Sequence, residues 1–235
     1  MSNTDSRLAQ VKHQISEAEK KWNRIPGSVA LLAVSKTRRA DELEKIIAQG
    51  QRAFGENYLQ EALDKIIALQ HHNNLIWHFI GKIQSNKTRP IAEYFDWVHS
   101  IDRLKIATRL SQQRPADKAP LNILLQINTS HEASKSGINE DSLLSLASDI
   151  NQLPGLCLRG IMGLPAPATS FEAQRQQCDQ LTDLYLQLQN NFSDIDTLSM
   201  GTSNDFEAAI ASGSTMVRIG TAIFGARKNL ASAQP

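Results

Sequence analysis

The stretch Val29-Ala30-Leu31-Leu32-Ala33-Val34-Ser35-Lys36 is a run of apolar residues that ends in a lysine. A strand that is apolar on both faces is typical of a parallel sheet covered by helices, so this run predicts a buried strand at residues 29–35. The lysine then lies at the rim of the sheet. There a low dielectric favours the neutral, nucleophilic form of an amine.

Seven more runs carry the signature of a buried strand, and the clearest of them spans residues 121–127. With the first run, the predicted strands are 29–35, 52–55, 75–81, 97–101, 121–127, 156–162, 197–200 and 215–219. Apolar residues spaced three or four apart predict the helices between them. The predicted helices are 5–22, 40–49, 58–69, 85–94, one from its N-cap Asp102 to residue 110, 139–151, 171–190 and 206–211.

This alternation of strand and helix indicates the fold class. Eight strands, each followed by a helix except the last, predict a (β/α)8 TIM barrel preceded by an extra N-terminal helix. We expect residues 1–235 to form one barrel domain. A doubly wound open sheet is the alternative, but it usually has fewer strands and a glycine-rich turn after the first. The turn at residues 36–39 contains no glycine.

The composition limits the classes of partner. A formal net charge of +1 gives no electrostatic footprint for nucleic acid or an anionic membrane surface. No apolar stretch approaches the roughly 18 residues of a membrane span, and the polar N-terminus has no signal-peptide pattern. Cys157 and Cys178 lack metal-ligand spacing and are expected to be reduced. We therefore expect a cytoplasmic protein.

Functional groups of a TIM barrel gather at the carboxyl ends of its strands. The residues at the predicted ends are Lys36, Gly55, Glu56, Asn57, Gly81, Ser100, Asn128, Met162, Gly163, Ser199, Met200, Gly201, Arg218, Ile219, Gly220 and Thr221. Lys36 is the one lysine among them. It either extends into solvent or, if partly buried or close to a cation such as Arg38 or Arg39, serves as a Schiff-base amine.

Two loops at these strand ends have the character of a phosphate site. Ser199-Met200-Gly201-Thr202-Ser203 follows strand seven, and Gly220-Thr221 follows strand eight, where barrels often bind phosphate with backbone N–H groups. Residues 221–225 would be the short helix of such a site. Alternatively, Ser203 only caps the helix at 206–211 and Gly220 is a turn glycine. An amine beside a phosphate site suits an aldehyde that carries a phosphate, such as pyridoxal 5'-phosphate (PLP).

Polar residues within the predicted strands need an explanation. Arg218 interrupts an apolar strand, so it is either aimed at a ligand or turned outward toward a helix. His78 is expected to be a hydrogen-bonded core histidine. The six histidines offer no ligand set by their spacing, so we predict no metal site.

Six segments together resemble the pyridoxal phosphate homeostasis protein family, also called the YggS or proline synthase co-transcribed family. They are Leu32-Ala33-Val34-Ser35-Lys36-Thr37, Phe54-Gly55-Glu56-Asn57-Tyr58, Trp77-His78-Phe79-Ile80-Gly81, Gln84-Ser85-Asn86-Lys87, Ser134-Lys135-Ser136-Gly137 and the run from Met216 to Gly225. The resemblance spans residues 7 to 227.

The resemblance implies a barrel like the N-terminal domain of alanine racemase, a fold-type III PLP protein. It implies that Lys36 forms the Schiff base with PLP, that Arg218 faces the pyridine nitrogen, and that Ser199, Gly220 and Thr221 hold the phosphate. It also implies that Asn57, Met200 and Ser203 line the pocket. We expect Gly201, in the loop after strand seven, to bind the cofactor with them.

The function expected from these features is PLP binding for intracellular vitamin B6 homeostasis, without catalytic residues or robust turnover. An arginine at the ring nitrogen disfavours its protonation and weakens the electron sink. Racemases of this fold take a second acid/base from an added β-domain, and we expect none in a chain that ends at Pro235. Apo PLP-dependent enzymes are the expected acceptors, and a monomer is expected. The alternatives are an amino-acid racemase with another base, or a cofactor-free Schiff-base aldolase for sugar phosphates.

Overall fold

Alternating strands and helices make up residues 3–129 and 136–226, which the computed structural model describes. The strands are β1 (Ala30–Val34), β2 (Ala53–Glu56), β3 (Ile76–Phe79), β4 (Trp97–Ile101), β5 (Leu121–Ile127), β6 (Leu156–Gly163), β7 (Thr197–Ser199) and β8 (Met216–Ile219). The helices are α1 (Asn3–Lys21), α2 (Ala40–Ala48), α3 (Leu59–Ala68), α4 (Thr88–Tyr94), α5 (Leu104–Gln113), α6 (Leu143–Asn151), α7 (Phe171–Gln189), α8 (Phe206–Ala211) and α9 (Thr221–Phe224). Ser134 and Lys135 of the sequence motif lie outside the described residues.

The eight strands close into a parallel barrel. Each strand pairs with its sequence neighbour, and β8 pairs with β1 through Leu32 opposite Arg218. This closure confirms the predicted (β/α)8 barrel and excludes the open sheet. Helix α1 precedes the barrel, as predicted, and every strand begins and ends within two residues of its predicted bounds.

Two of the nine α-helices within the described residues are longer than the others and lie along the outside of the barrel. α1 and α7 have 19 residues each, and each buries a single face. The shorter α2 does the same with Leu43, Ile46 and Ile47, because these residues share one side of the helix. No helix within the described ranges combines the length and the apolar character needed to cross a membrane.

The structure corrects one prediction about a helix start and removes one of two alternative interpretations at another. α5 begins at Leu104 with Arg103 at its N-cap, so the prediction that Asp102 caps this helix was wrong. The Asp102 carboxylate instead accepts a hydrogen bond from Arg103 Nη1 at 2.6 Å. At α8 the N-cap is Asp205, which removes the interpretation of Ser203 as a cap.

One glycine in β6 is required by the close approach of two strands. The register between β5 and β6 shifts where Leu124 pairs with Gly160. Gly160 has a φ of +147°, and a Cβ added to it would lie 1.9 Å from the carbonyl oxygen of Thr197 on β7. A side chain here would therefore push apart two strands whose ends form the barrel mouth.

We expect Gly160→Ala to destabilise the protein by at least about 3 kcal/mol, because it adds a backbone clash to an unfavourable φ. The matched control is Gly27→Ala. Gly27 also has a positive φ, +77°, but nothing lies within 4 Å of an added Cβ, so we expect a cost of about 1 kcal/mol. Urea unfolding measures both values. Equal losses of stability would contradict the role of the β6–β7 contact.

Candidate functional site

A cavity of about 620 Å³ opens at the mouth of the barrel. Because all eight strands are parallel, their carboxyl ends meet at this mouth. The lining residues belong to or follow β1, β2, β3, β6, β7 and β8. They are Val34, Lys36, Asn57, Ile80, Met162, Leu164, Thr202, Ser203, Asn204, Arg218, Gly220, Thr221 and Ala222.

Six of the nine residues predicted to bind a cofactor line this cavity. They are Lys36, Asn57, Ser203, Arg218, Gly220 and Thr221. The other three, Ser199, Met200 and Gly201, lie behind the wall of the cavity. Their contact with a ligand stays a prediction.

Each of the three residues behind the wall supports it in a different way. The buried Ser199 accepts a hydrogen bond from Arg218 through its hydroxyl oxygen. Met200 lies in the core, and its carbonyl oxygen accepts from Ser214 Oγ at 2.8 Å. Gly201 has a φ of +98°, and an added Cβ would lie 2.7 Å from the Cβ of Ala209, so the turn after β7 needs glycine.

Lys36 lies two positions beyond the end of β1. The backbone N–H of Ser35 donates to the carbonyl oxygen of Gly55, which extends the pairing of β1 and β2 by one residue. Thr37 then adopts a φ of +64°, an unusual value for a β-branched residue, and turns the chain away from the barrel. The half-buried Lys36 side chain lies in the cavity wall rather than on the outer surface.

The loops after β7 and β8 border the same cavity, and the β8 loop brings backbone N–H groups to it. In α9 the first intrahelical bond is made by the N–H of Ile223, so the N–H groups of Thr221 and Ala222 precede it, without an intrahelical acceptor. In the β7–α8 loop, the Asp205 carboxylate accepts from both the N–H and the hydroxyl of Thr202, at 2.6 and 2.7 Å. Ser203 and Thr221 of the two loops line the same cavity, and the N–H groups at the start of α9 suit a bound anion.

Arg218 points into the barrel, not outward to a helix. Its Nη1 donates to the carbonyl and hydroxyl oxygens of Ser199 at 2.6 and 2.7 Å, and its Nη2 donates to the carbonyl oxygen of Gly163 at 2.8 Å. Burial lowers the pKa of its guanidinium to about 10, so the group is still charged at neutral pH. The site therefore holds a fixed cation in its floor.

A chain of hydrogen bonds crosses the barrel interior beneath Arg218. His99 Nδ1 lies 3.2 Å from Ser199 Oγ, and His99 Nε2 lies 2.9 Å from His78 Nδ1. β4 and β7, which carry His99 and Ser199, are not neighbours in the sheet, so this contact spans the interior. The prediction that His78 is a hydrogen-bonded core histidine is confirmed.

The two histidine rings share one N–H···N hydrogen bond, so one ring donates through it and the other accepts. Ser199 Oγ accepts from Arg218 Nη1 and shares a second hydrogen bond with His99 Nδ1. Burial lowers the pKa of His78 to about 3. Burial, with the charges of His78 and Arg218, lowers the pKa of His99 well below its usual value, so both rings are neutral.

Asn57 contributes an unsatisfied acceptor to the cavity wall. Its side-chain oxygen is buried and has no hydrogen-bond partner within residues 3–129 and 136–226. Asn57 is held by close backbone packing, since a Cβ on Gly81 would lie 2.1 Å from its carbonyl oxygen. A buried acceptor without a donor in a cavity wall is the kind of atom that a bound group satisfies.

The two arginines after Lys36 lie outside the cavity lining. Arg39 is exposed and pairs with Asp41. Arg38 lies over the Phe224 ring, with its guanidinium carbon 5.7 Å from the ring centre, and donates to the carbonyl oxygen of Gly225. Arg38 thereby ties the loop after β1 to the end of α9.

A buried ion pair beside Lys36 was missed from the sequence. Lys65 on α3 is 4% exposed, and its Nζ lies 2.7 Å from Glu56 Oε1. Two signals pointed to it. Glu56 ends an otherwise apolar strand, and Lys65 lies between Ala62 and Leu69 on the apolar face of α3.

The structure also corrects the statement that the histidines offer no ligand set. His71 and His72 follow α3, and Glu44 on α2 faces them, so that one ligand atom from each lies within 4.8 Å of the others. Spacing among the histidines could not show this group, because Glu44 lies far from His71 and His72 in the sequence. The Glu44 carboxylate already bonds to both rings, at 3.1 and 2.7 Å, and this bonding explains the cluster without an ion.

Comparisons with known proteins agree with this fold. The family profile of the alanine racemase N-terminal domain matches residues 6–228. Alanine racemase from Corynebacterium glutamicum shares the fold, with a TM-score of 0.68 at 18% identity over 94% of this chain and 62% of that one. The fold and site thus define a barrel protein of the alanine racemase N-terminal class.

Curated relatives place the chain more narrowly. It is 53% identical over 229 residues to the pyridoxal phosphate homeostasis protein of Escherichia coli K12, covering 97% of this chain and 98% of that protein. It is 55% identical over 227 residues to the Pseudomonas aeruginosa protein of the same name, covering 97% of each. The chain belongs to the pyridoxal phosphate homeostasis protein family.

A solved structure of similar size supports this assignment. PipY of Synechococcus elongatus PCC7942 has been solved without PLP and with PLP bound. The PLP-bound structure has a TM-score of 0.83 and 32% identity to this chain, covering 95% of this chain and 100% of that one.

We expect the free energy of unfolding to fall as the pH drops below about 6.5, the ordinary pKa of histidine. The folded state keeps His78 and His99 neutral, whereas the unfolded state protonates them, so acid favours unfolding. The limiting slope is about 1.4 kcal/mol per pH unit for each histidine. Burial raises the pKa of Glu56, which acts in the opposite direction.

Urea unfolding of His78→Gln between pH 7.5 and 5 tests this linkage. We expect a shallower pH slope than in the unmodified protein, whatever the absolute loss of stability. His13→Gln, which changes an exposed histidine of α1, is the control and should keep the original slope. A slope that His78→Gln leaves unchanged would show that this ring is not kept neutral by burial.

Proposed function

We propose that this protein binds PLP at the barrel mouth and acts as a carrier in the intracellular homeostasis of vitamin B6, without robust turnover. The observation that carries this proposal is the convergence of three features on one cavity: the Lys36 amine, the buried Arg218 cation and the loops around Ser203 and Thr221. The names of the curated relatives and the PLP-bound structure of PipY support it.

The residues of the cavity fit the chemical groups of PLP. Lys36 would hold the aldehyde of PLP as a Schiff base, because a neutral amine condenses with an aldehyde with loss of one water. The N–H groups at the start of α9 and the loop around Ser203 suit the phosphate. The unsatisfied side-chain oxygen of Asn57 suits a hydroxyl donor. Ser199, Met200 and Gly201 support this wall from behind.

The same residues argue against strong catalysis. When bound, PLP supplies an electron sink whose strength depends on protonation of its ring nitrogen. Arg218 would face that nitrogen and keep it unprotonated, because a guanidinium can only donate hydrogen bonds. Among the described residues that line the cavity, Lys36 and Arg218 are the ionisable ones. A racemase needs a second group that exchanges protons, and Arg218 retains its proton at neutral pH.

The proposal includes the setting in which the protein works. We propose that residues 1–235 act as a single PLP-binding domain, as a monomer, and that apo forms of PLP-dependent enzymes receive the cofactor. A cytoplasmic location stays a prediction. The free thiols of Cys157 and Cys178 fit a reducing compartment.

We expect Lys36→Ala to lose the covalent adduct while keeping affinity for pyridoxine phosphate, which has the phosphate but no aldehyde. The phosphate contacts of the β7 and β8 loops do not involve Lys36. Borohydride reduction followed by peptide mass analysis measures the adduct, and calorimetry measures the affinity. Lys45→Ala, which changes an exposed lysine of α2, is the control. Equal loss of both ligands in a folded Lys36→Ala protein would contradict this division of roles.

A transfer assay tests the carrier function against its alternatives. We expect the PLP-loaded protein to activate an apo-enzyme, with free PLP at the same concentration as the reference, and to racemise no amino acid of a panel at a steady rate. Steady racemisation would favour the PLP enzyme instead. A colourless protein that traps a sugar phosphate on Lys36 would favour the aldolase.

A further inference from the structure

We propose that Glu61 and Lys65 on α3 are positioning residues that hold the turn carrying Lys36, through a cluster with Ser35 and Glu56 that we call the α3 clamp. This inference rests on the proposed function of Lys36. Nothing in the α3 clamp lines the cavity, so its members act on a ligand only through the position of Lys36.

The α3 clamp fixes the residue before Lys36 through both its side chain and its backbone. Ser35 Oγ donates to Glu56 Oε1 at 2.5 Å, and Lys65 Nζ donates to the carbonyl oxygen of Ser35 at 2.7 Å. Lys65 Nζ also lies 2.7 Å from Glu56 Oε1. Ser35 and Glu56 are fully buried, and Lys65 is 4% exposed, so these bonds form away from water.

The residue after Lys36 is held by the same cluster. The backbone N–H of Thr37 donates to Glu61 Oε1 at 2.6 Å, and this oxygen also accepts from Lys65 Nζ at 2.6 Å. Thr37 needs this support because its φ of +64° is costly for a β-branched residue. Lys65 therefore links the bonds on both sides of Lys36 into one unit.

Two observations show that the α3 clamp is more than packing. Burying an amine on the apolar face of a helix costs solvation free energy. Lys65 donates all three of its N–H groups within the α3 clamp. The second carboxylate oxygen of Glu56 is buried and has no hydrogen-bond partner among the described residues, and burial raises the pKa of this carboxyl. Because such a cluster lowers stability, we infer that it is kept for the precise placement that a reacting amine needs.

Glu61 offers the test that is least damaging to the fold, because its side chain is 31% exposed. Glu61→Ala removes the acceptor of the Thr37 N–H. Glu61→Gln keeps an acceptor oxygen of the same reach and loses the charge. Asp64→Ala is the control on the same helix, since Asp64 is exposed and bonds only to Gln60 among the described residues.

The rate of adduct formation on Lys36 is measured by quenching PLP mixtures with borohydride at increasing times. We expect Glu61→Ala to slow this rate at least about tenfold, a factor in keeping with one hydrogen bond to a charged group. Glu61→Gln should stay within about threefold of the unmodified protein, and Asp64→Ala should match it. Affinity for pyridoxine phosphate should be the same in all four proteins.

Three results would overturn the proposal. The first is a rate in Glu61→Ala equal to that of the unmodified protein, and the second is a rate in Glu61→Gln as slow as that in Glu61→Ala. The third is a loss of pyridoxine phosphate affinity in Glu61→Ala as large as its loss of rate, which indicates general loosening. If the unmodified protein forms no adduct, the proposed function fails instead. Hydrogen exchange at the Thr37 amide then still tests the α3 clamp, which requires faster exchange in Glu61→Ala but not in Glu61→Gln.

Discussion

The buried guanidinium of Arg218 is the group around which the mouth of the barrel is organised. Its bonds to Ser199 and Gly163 tie β8 to the ends of β7 and β6. A charge in the barrel interior is costly unless it is hydrogen-bonded, and these bonds use three of the five N–H donors of the guanidinium. Beneath it, the neutral rings of His99 and His78 continue the bonding through Ser199. The cation thus has a fixed orientation before any ligand arrives.

The fold could be predicted from the sequence because its signals are local. An apolar run such as 121–127 identifies a buried strand, and the alternation with helices identifies the barrel. Once the strands are parallel, geometry places their carboxyl ends together, which is why Lys36, Asn57 and Thr221 could be assigned to one mouth. The prediction of Asp102 as the N-cap of α5 was wrong by one residue, because the helix begins at Leu104 and Arg103 precedes it.

The rest of the site depends on contacts that local patterns do not contain. His99 and Ser199 are 100 residues apart and meet only because the closed barrel brings β4 and β7 across from each other. Ser199 lies behind Arg218 because the guanidinium points into the barrel. The alternation of side chains along a strand did not decide between this inward direction and an outward one. Lys65 was concealed in the apolar face of α3, where a lysine is ordinarily expected to reach solvent.

The placement of Lys36 after β1 and of Gly220 and Thr221 after β8 has a consequence for the release that we propose. β1 and β8 are neighbours in the barrel, so a ligand held by both is tethered at two points a short distance apart. When one attachment breaks, the other keeps the freed end at a high effective concentration, and reattachment competes with escape. Such a ligand would depart slowly in dilute solution, and an acceptor that captured the loosened end would shorten its residence without any movement of the barrel.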